Sequence, residues 1–424
     1  MRGQSKRLLY AGTYERDYPR NRLTIAALGR AGFDVRELHA TVWERDRDKS
    51  GRFLRPGSLI RLGLRLGLAY VSTGLRLFRA LQESDAVVIG YIGQADMLVL
   101  APLAKLAGRP VVFNPLVTLT DTLVEDRQLA RRGGLTAIAI AAVDRIALRL
   151  ADAILVDTPE NGDYLVRRFG IPTSRIHQVD VGADDDVFKC GPRSAAPTPS
   201  PSPNSRGEEQ NVRARSPLPK LGEGLGVGAA KLRVLFYGKF TPLHGIDTIL
   251  RAAKLLEDRE DIRFEIIGSG QLSAEMHDLA GKLGLRNVDF IPWVPFERLP
   301  ERISASDIFL GIFGDTTKAA RVIPNKVFQG MAMGAAIVTR DSPAIRRVLD
   351  DGDSALLIPP ADPVALAGAV LRLRDPALRA NLGRGARLAF ERTGSLDALA
   401  ERLSAVIETM VPAQRSGMFA GSKR

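Results

Sequence analysis

Short β-rich runs alternate with longer helix-period segments along nearly all of this 424-residue chain, and the whole alternation occurs twice. In the first half, strand-type runs fall at residues 8–12, 35–38, 86–91, 110–114, 153–157 and 176–181. Helix-type apolar spacing occupies 21–31, 60–81, 96–107, 135–150 and 160–169. The second half repeats the plan. Its strand runs lie at 234–238, 264–268, 288–291, 307–313, 335–339 and 355–358, and its helical segments at 245–256, 273–283, 324–333, 343–349 and 363–374. Strands separated by helices are joined by crossovers, which lay the strands parallel and cover both faces of the sheet. A chain of this length exceeds one ordinary core. The expected fold class is therefore α/β, with two doubly wound parallel-sheet domains in tandem.

The segment between the halves has a different chemistry. Residues 191–230 include Ala195-Ala196-Pro197-Thr198-Pro199-Ser200-Pro201-Ser202-Pro203 and end in Gly222-Glu223-Gly224-Leu225-Gly226-Val227-Gly228. So few large apolar groups cannot offset the entropy of ordering, and a disordered linker or insertion is expected. A proline-rich docking motif is the alternative reading. The division is thus residues 1–190, the linker 191–230, a second domain 231–394, and a final segment 395–424. That last segment is read as a helix with an open course back to the first domain, then a disordered tail.

The formal charge of +12 favours anionic partners such as phosphorylated substrates, acidic membrane surfaces or nucleic acid. Nucleic acid is the poorest of these, because the basic residues are not interleaved with aromatic ones in a known module. Cys190 stands alone, so a disulfide framework and a thiol metal site are excluded. The four histidines are scattered, which argues against a histidine-rich metal centre. Lys6-Arg7 is followed by only four apolar residues, which is not a secretory signal. No apolar run approaches the roughly 20 residues that span a bilayer. The expectation is a cytoplasmic protein. Within residues 60–81, Arg61, Arg65, Arg76 and Arg79 share a stripe roughly 60° wide on a helical projection. That stripe suits either a solvated basic face or a peripheral contact with anionic lipid at the inner face of the cell membrane.

In open α/β sheets, ligands bind beyond the carboxyl ends of the strands. In the second half these ends carry Gly238-Lys239-Phe240, Gly268-Ser269-Gly270, Pro292-Trp293-Val294 and Gly314-Asp315-Thr316. Pro324-Asn325-Lys326 then opens a short helix that Gly334 ends. Asn325 and Lys326 would stand where a helix N-terminus offers free N–H groups to an anion. Lys239 and Lys326 are placed to bracket a pyrophosphate, and a sugar nucleotide is the natural occupant.

Several of these segments resemble the family 4 (group 1) glycosyltransferases: Tyr237-Gly238-Lys239-Phe240…His244-Gly245, Ile266-Ile267-Gly268-Ser269-Gly270, Pro324-Asn325-Lys326-Val327-Phe328-Gln329 and Leu357-Ile358-Pro359. Ala151-Asp152-Ala153-Ile154-Leu155-Val156 and Val181-Gly182-Ala183-Asp184 extend the likeness into the first half. The resemblance implies a GT-B fold, two Rossmann-like domains facing across a cleft. It also implies a nucleotide-diphosphate sugar bound mainly to the second domain, retention of anomeric configuration, and no metal or other cofactor. Lys239 matches the basic residue that contacts donor phosphates. His244 stands where many members have a second lysine, which implies weaker or pH-dependent neutralisation. The family's paired glutamates, eight residues apart, are matched by Arg321 and Gln329. Gln329 can still bond a ribose hydroxyl, whereas Arg321 accepts nothing. Asp315 or Asn325 is then expected to take the accepting role, with Gly268, Gly270 and Trp293 completing the donor site.

On the acceptor side, Asp121 in Thr118-Leu119-Thr120-Asp121-Thr122 is the candidate catalytic carboxylate that would orient a hydroxyl. An N-cap is its plain alternative. Asn21 likewise reads as a possible cap of the helix that follows the arginine- and tyrosine-rich stretch 13–22. The acceptor itself stays open among glycan, lipid-linked and small-molecule hydroxyls. A degenerate GT-B subunit that binds sugar or nucleotide without turnover is the rival reading, motivated by Arg321 and Gln329. Another sugar-nucleotide enzyme of similar fold, such as an epimerase, is a second.

Overall fold

The computed structural model describes residues 5–42, 56–189 and 231–411. The expected linker 191–230 and the tail beyond 411 lie outside the described residues.

The first unit runs β1 (Arg7–Gly12), α1 (Pro19–Arg30), β2 (Asp34–His39), α2 (Pro56–Glu83), β3 (Ala86–Ile89), α3 (Gln94–Leu106), β4 (Val111–Phe113), α4 (Leu135–Leu150), β5 (Ala153–Val156), α5 (Pro159–Phe169) and β6 (Ile176–Gln178). All its strand pairs are parallel, in the order β2-β1-β3-β4-β5-β6. The central strands are buried along their length, as a sheet covered on both faces requires.

The second unit runs β7 (Leu232–Tyr237), α6 (Ile246–Leu255), β8 (Ile262–Ile267), α7 (Ser273–Leu283), β9 (Val288–Ile291), α8 (Leu299–Ser304), β10 (Ile308–Leu310), α9 (Thr317–Arg321), α10 (Asn325–Ala332), β11 (Ile337–Arg340), β12 (Leu356–Ile358), α11 (Pro363–Arg372), α12 (Pro376–Thr393) and α13 (Leu396–Met410). Its sheet is also all parallel, in the order β12-β11-β10-β7-β8-β9. Strand order reverses between β1 and β3 in one sheet and between β7 and β10 in the other. At such reversals adjacent loops diverge and leave a crevice at the carboxyl ends.

Two local readings of the sequence need correction. The strand expected over 307–313 ends at Leu310; beyond it the Ile312 N–H goes to Thr339 Oγ1 at 3.2 Å and the Phe313 N–H turns away to the His244 oxygen at 3.1 Å. The helix expected over 343–349 is one 3-10 turn, Ile345–Arg347, whose first N–H is held by Ser342 Oγ at 3.2 Å. Residues 376–393, to which no element was assigned from the sequence, form an eighteen-residue helix that contains Pro376, Gly383 and Gly385. Pro376 occupies the first turn, where its missing N–H costs nothing. A Cβ at Gly383 would lie 2.2 Å from the Gly334 oxygen, and one at Gly385 would lie 2.1 Å from the Asp353 oxygen. These glycines are sites of close packing, not helix ends.

Ser395 caps α13, which leaves the second unit and packs on α1. Leu396, Leu399, Leu403, Val406 and Ile407 are buried in one cluster with Leu23, Ala27 and Leu28. Arg402 pairs with Asp180, and Lys6 donates to the Val411 oxygen at 2.5 Å. The last helix of the chain thus completes the core of its first sheet.

Candidate active site

The loops at the carboxyl ends of β7, β8 and β10 touch closely at their bases. A Cβ on Gly268 would lie 1.9 Å from the Gly238 oxygen, and one on Gly270 would lie 2.6 Å from the Phe240 oxygen. Gly245, at φ 60°, abuts Phe313 and Gly314, and Gly314 in turn leaves no room beneath Pro242. The Gly-Ser-Gly motif therefore serves the close approach of two loops. This holds Gly238, at φ 152°, against the first turn of α10.

Lys326 fills that contact. Its ammonium sits 3.7 Å from the centre of the Phe236 ring, and a Cβ on Gly238 would stand 2.6 Å from it. The residue is only 5% exposed, and the nitrogen has no hydrogen-bond acceptor. Burial holds its pKa well below the ordinary lysine range. A buried cation that lacks an acceptor, on the opening turn of a helix with free N–H groups, is poised for an anion.

His244 lies against the same lysine. Its Nδ1 meets the Lys239 oxygen, and its pKa is held well below that of free imidazole by burial and then by Lys326. Of the weaker or pH-dependent neutralisation expected at His244, this lowering favours the weaker. Lys239 is exposed beside it. Gln329 is buried, and its amide oxygen accepts the Tyr237 hydroxyl. Asn325 is half-buried on the first turn of α10, while Asp315 and Trp293 are exposed at their loop tips, the indole 73% so.

The carboxyl ends of the two sheets face each other, and charged groups meet between them. Asp121 lies within a π-helical stretch, Thr120–Asp126, so it is not an N-cap. One of its oxygens accepts from Arg321, and the other lies 3.2 Å from Lys318 Nζ. Lys318 also approaches Asp126 at 3.6 Å and donates to Thr122 Oγ1 at 3.1 Å. Arg321 lies over the Tyr164 ring at 4.2 Å and donates to Asn161 Oδ1 at 3.3 Å, and its carbonyl accepts from Thr158 at 2.5 Å. Both oxygens of Asp121 are thus engaged by cations of the second unit. Lys318, Asp126 and Asn161 carried no signal in the sequence, because Asp121 and Arg321 are 200 positions apart. Nothing in linear spacing pairs them.

Further out, Arg22 stacks 4.6 Å from the Phe296 ring and lies 3.6 Å from Asp184, and Arg347 meets Glu160 at 2.8 Å. Asn21 does not cap α1. Its side chain accepts from the Tyr10 hydroxyl at 2.9 Å and the Tyr91 N–H at 2.8 Å, and it donates to the Glu15 oxygen at 2.8 Å. Arg20 is buried beside it, bonded to Asn114 and to two carbonyls before Val181. The arginine- and tyrosine-rich stretch is largely committed to the fold.

Residues 19–182 match the model of the glycosyl transferase 4-like domain, and residues 231–375 match that of the glycosyl transferases group 1. The chain belongs to the group 1 glycosyltransferases. Among relatives of this group 1 glycosyltransferase, the D-inositol 3-phosphate glycosyltransferase of Acidothermus cellulolyticus is 30% identical over 282 residues, or 61% of the chain. The alpha-D-kanosaminyltransferase of Streptomyces kanamyceticus is 25% identical over 273 residues, or 62% of the chain. The chain spans 56% of the length of the first and 62% of the second.

Solved structures share its architecture at lower identity. Anabaena Alr3699/HepE in complex with UDP superposes with a TM-score of 0.64 at 12% identity, over 95% of this chain and 100% of that one. The sucrose-phosphate synthase of Thermosynechococcus elongatus gives 0.66 at 16%, over 96% and 99%. Two six-stranded parallel sheets facing across a cleft, with a last helix returning to the first, are the GT-B fold.

Proposed function

We propose that this chain moves a sugar from a nucleotide-diphosphate donor, a uridine diphosphate sugar in the first instance, to a hydroxyl acceptor with retention of anomeric configuration. The observation that carries this reading is the buried, acceptor-free ammonium of Lys326 on the opening turn of α10. A diphosphate there would supply the missing acceptors and favour the lysine's protonated form. Lys239, on the adjoining loop, would add charge as the glycosidic bond breaks. Positive charge fixed in place before reaction stabilises a developing diphosphate with little reorganisation. Asn325 and Gln329 are assigned to the nucleoside and sugar, and Asp315 to the donor-sugar hydroxyls. The carboxylate of Asp121 would meet an acceptor hydroxyl once Arg321 releases it. UDP in the complex of Alr3699/HepE supports the choice of base.

Among the described residues no helix is long and apolar enough to cross a membrane. On α2, Leu77 and Leu81 are buried, whereas Leu64, Leu68 and Phe78 are exposed beside Arg61, Arg76 and Arg79. This arrangement supports peripheral contact with anionic lipid.

The test is nucleoside diphosphate release from a panel of nucleotide sugars, with and without lipid extract. Release from one donor, reduced at least tenfold in Lys239→Ala and Lys326→Met, is the expected result. Nucleotide binding without release from any donor would point to a binding subunit instead.

A further inference from the structure

We propose that the cavity beneath α4 is the acceptor site, and that the acceptor is an amphiphile carrying a phosphate next to an apolar chain. The assignment rests on the glycosyl-transfer reading above and deepens it. The cavity holds about 700 Å³, a volume suited to a small organic ligand. One wall is the apolar flank of α4, including Ile138 and Ala142. Its rim carries Arg132, Arg145 and Arg168.

The charge there is unbalanced. Glu125 is the one carboxylate lining the cavity, and it already accepts the Tyr164 hydroxyl at 3.0 Å while facing Arg168 at 3.8 Å. No ion pair among the described residues reaches Arg132 or Arg145, and both are exposed. Guanidinium groups match phosphate oxygens in a forked geometry, so this rim selects a phosphate. The apolar wall extends beyond the rim. Leu135, Ile138, Ala142 and Ile146 follow one another at helical spacing along α4, and the three large ones are 87%, 57% and 50% exposed. An alkyl chain lying on this stripe would cover apolar surface that nothing else in the described structure covers.

The cavity also reaches the junction of the two units. Thr120 and Thr317 both line it, one from each unit. Thr120 precedes Asp121, whose bond to Arg321 crosses the cleft. A phosphate held at the arginines therefore presents its neighbouring hydroxyls toward the junction of the two units.

The experiment titrates the full chain with dodecyl phosphate below its micelle concentration, and with dodecyl glucoside and inorganic phosphate as separate probes. Dodecyl phosphate is expected to bind at least tenfold more tightly than either control. Arg132→Ala/Arg145→Ala and, separately, Ile138→Asp should each weaken it at least tenfold. The thermal shift given by UDP should be unchanged in both variants, which keeps the donor site and this site separable. Equal binding of the glucoside would overturn the phosphate, and equal binding of inorganic phosphate would overturn the amphiphile. Affinity unaltered in the variants, or no binding of dodecyl phosphate, would overturn the site.

Discussion

Lys326 packs a primary amine over the Phe236 ring in a pocket that offers it no acceptor, and this has consequences for both stability and binding. In the unfolded chain the amine keeps its proton up to the ordinary lysine range, near 10.5; in the folded protein burial makes it give the proton up earlier. Between those two points the unfolded state binds more protons, so stability rises with pH through that window. Below the window the full cost of a buried charge applies. Lys326→Met is therefore expected to raise the melting temperature at neutral pH and to flatten its pH dependence, while weakening UDP binding roughly tenfold or more. Thermal denaturation with and without UDP, over about pH 6 to 10, reads all three effects. For the wild-type protein the same measurement should show UDP affinity falling as pH rises, because the ligand prefers the protonated amine. A melting temperature lowered by the substitution would refute the account of Lys326 as a strained cation. The lysine was legible in the sequence from its place after Pro324. Its burial was not, since that depends on Gly238 and Phe236 arriving from another strand.

Helices show most clearly where periodicity informs and where it misleads. α4 and α7 have the bounds their apolar spacing predicts, and α2 buries Leu77 and Leu81 on the side opposite its arginine stripe. By contrast, α12 is hidden in the sequence because glycines at helix–loop contacts look like breaks. α13 reads as an amphipathic helix, but its partner, α1, lies some 370 residues earlier, as the Arg30–Asp397 pair shows with a separation of 367. Leu403, 2% exposed in that interface, is a direct probe of it. Leu403→Ala is expected to cost about 2–5 kcal/mol in urea denaturation through the cavity it leaves. Leu388→Ala on α12, where the leucine is 56% exposed, should change stability by less than about 0.5 kcal/mol. Similar losses at the two positions would mean that α13 does not dock on the first unit in solution.

Across the whole molecule, Asp121, Lys318 and Arg321 form a nearly dry charged contact between the two sheets, with side chains 3%, 10% and 12% exposed. Removing one member of such a cluster leaves the others desolvated without a counter-charge. Here water can reach them if the cleft opens, so Asp121→Asn is expected to cost about 1–3 kcal/mol. Small-angle scattering should show a larger radius of gyration for this variant. In the double variant Asp121→Leu/Arg321→Met, most of the lost stability should return, because no orphaned Asp121–Arg321 charge remains. An unchanged radius together with strictly additive losses would show that the contact does not hold the units together.

The sequence by itself determined what is local and periodic: twelve strands in two sets, the helices between them, and the glycine- and lysine-bearing turns at the strand ends of the second unit. Backbone propensity and the burial of alternating apolar residues act over a few positions, so they leave a trace in linear order. Only the tertiary structure decided which carboxylate meets Arg321, which helix completes the first core, and that Lys326 and His244 share one buried pocket. Those outcomes depend on loops converging from distant positions, where desolvation sets charge states and close packing sets which residues must be glycine.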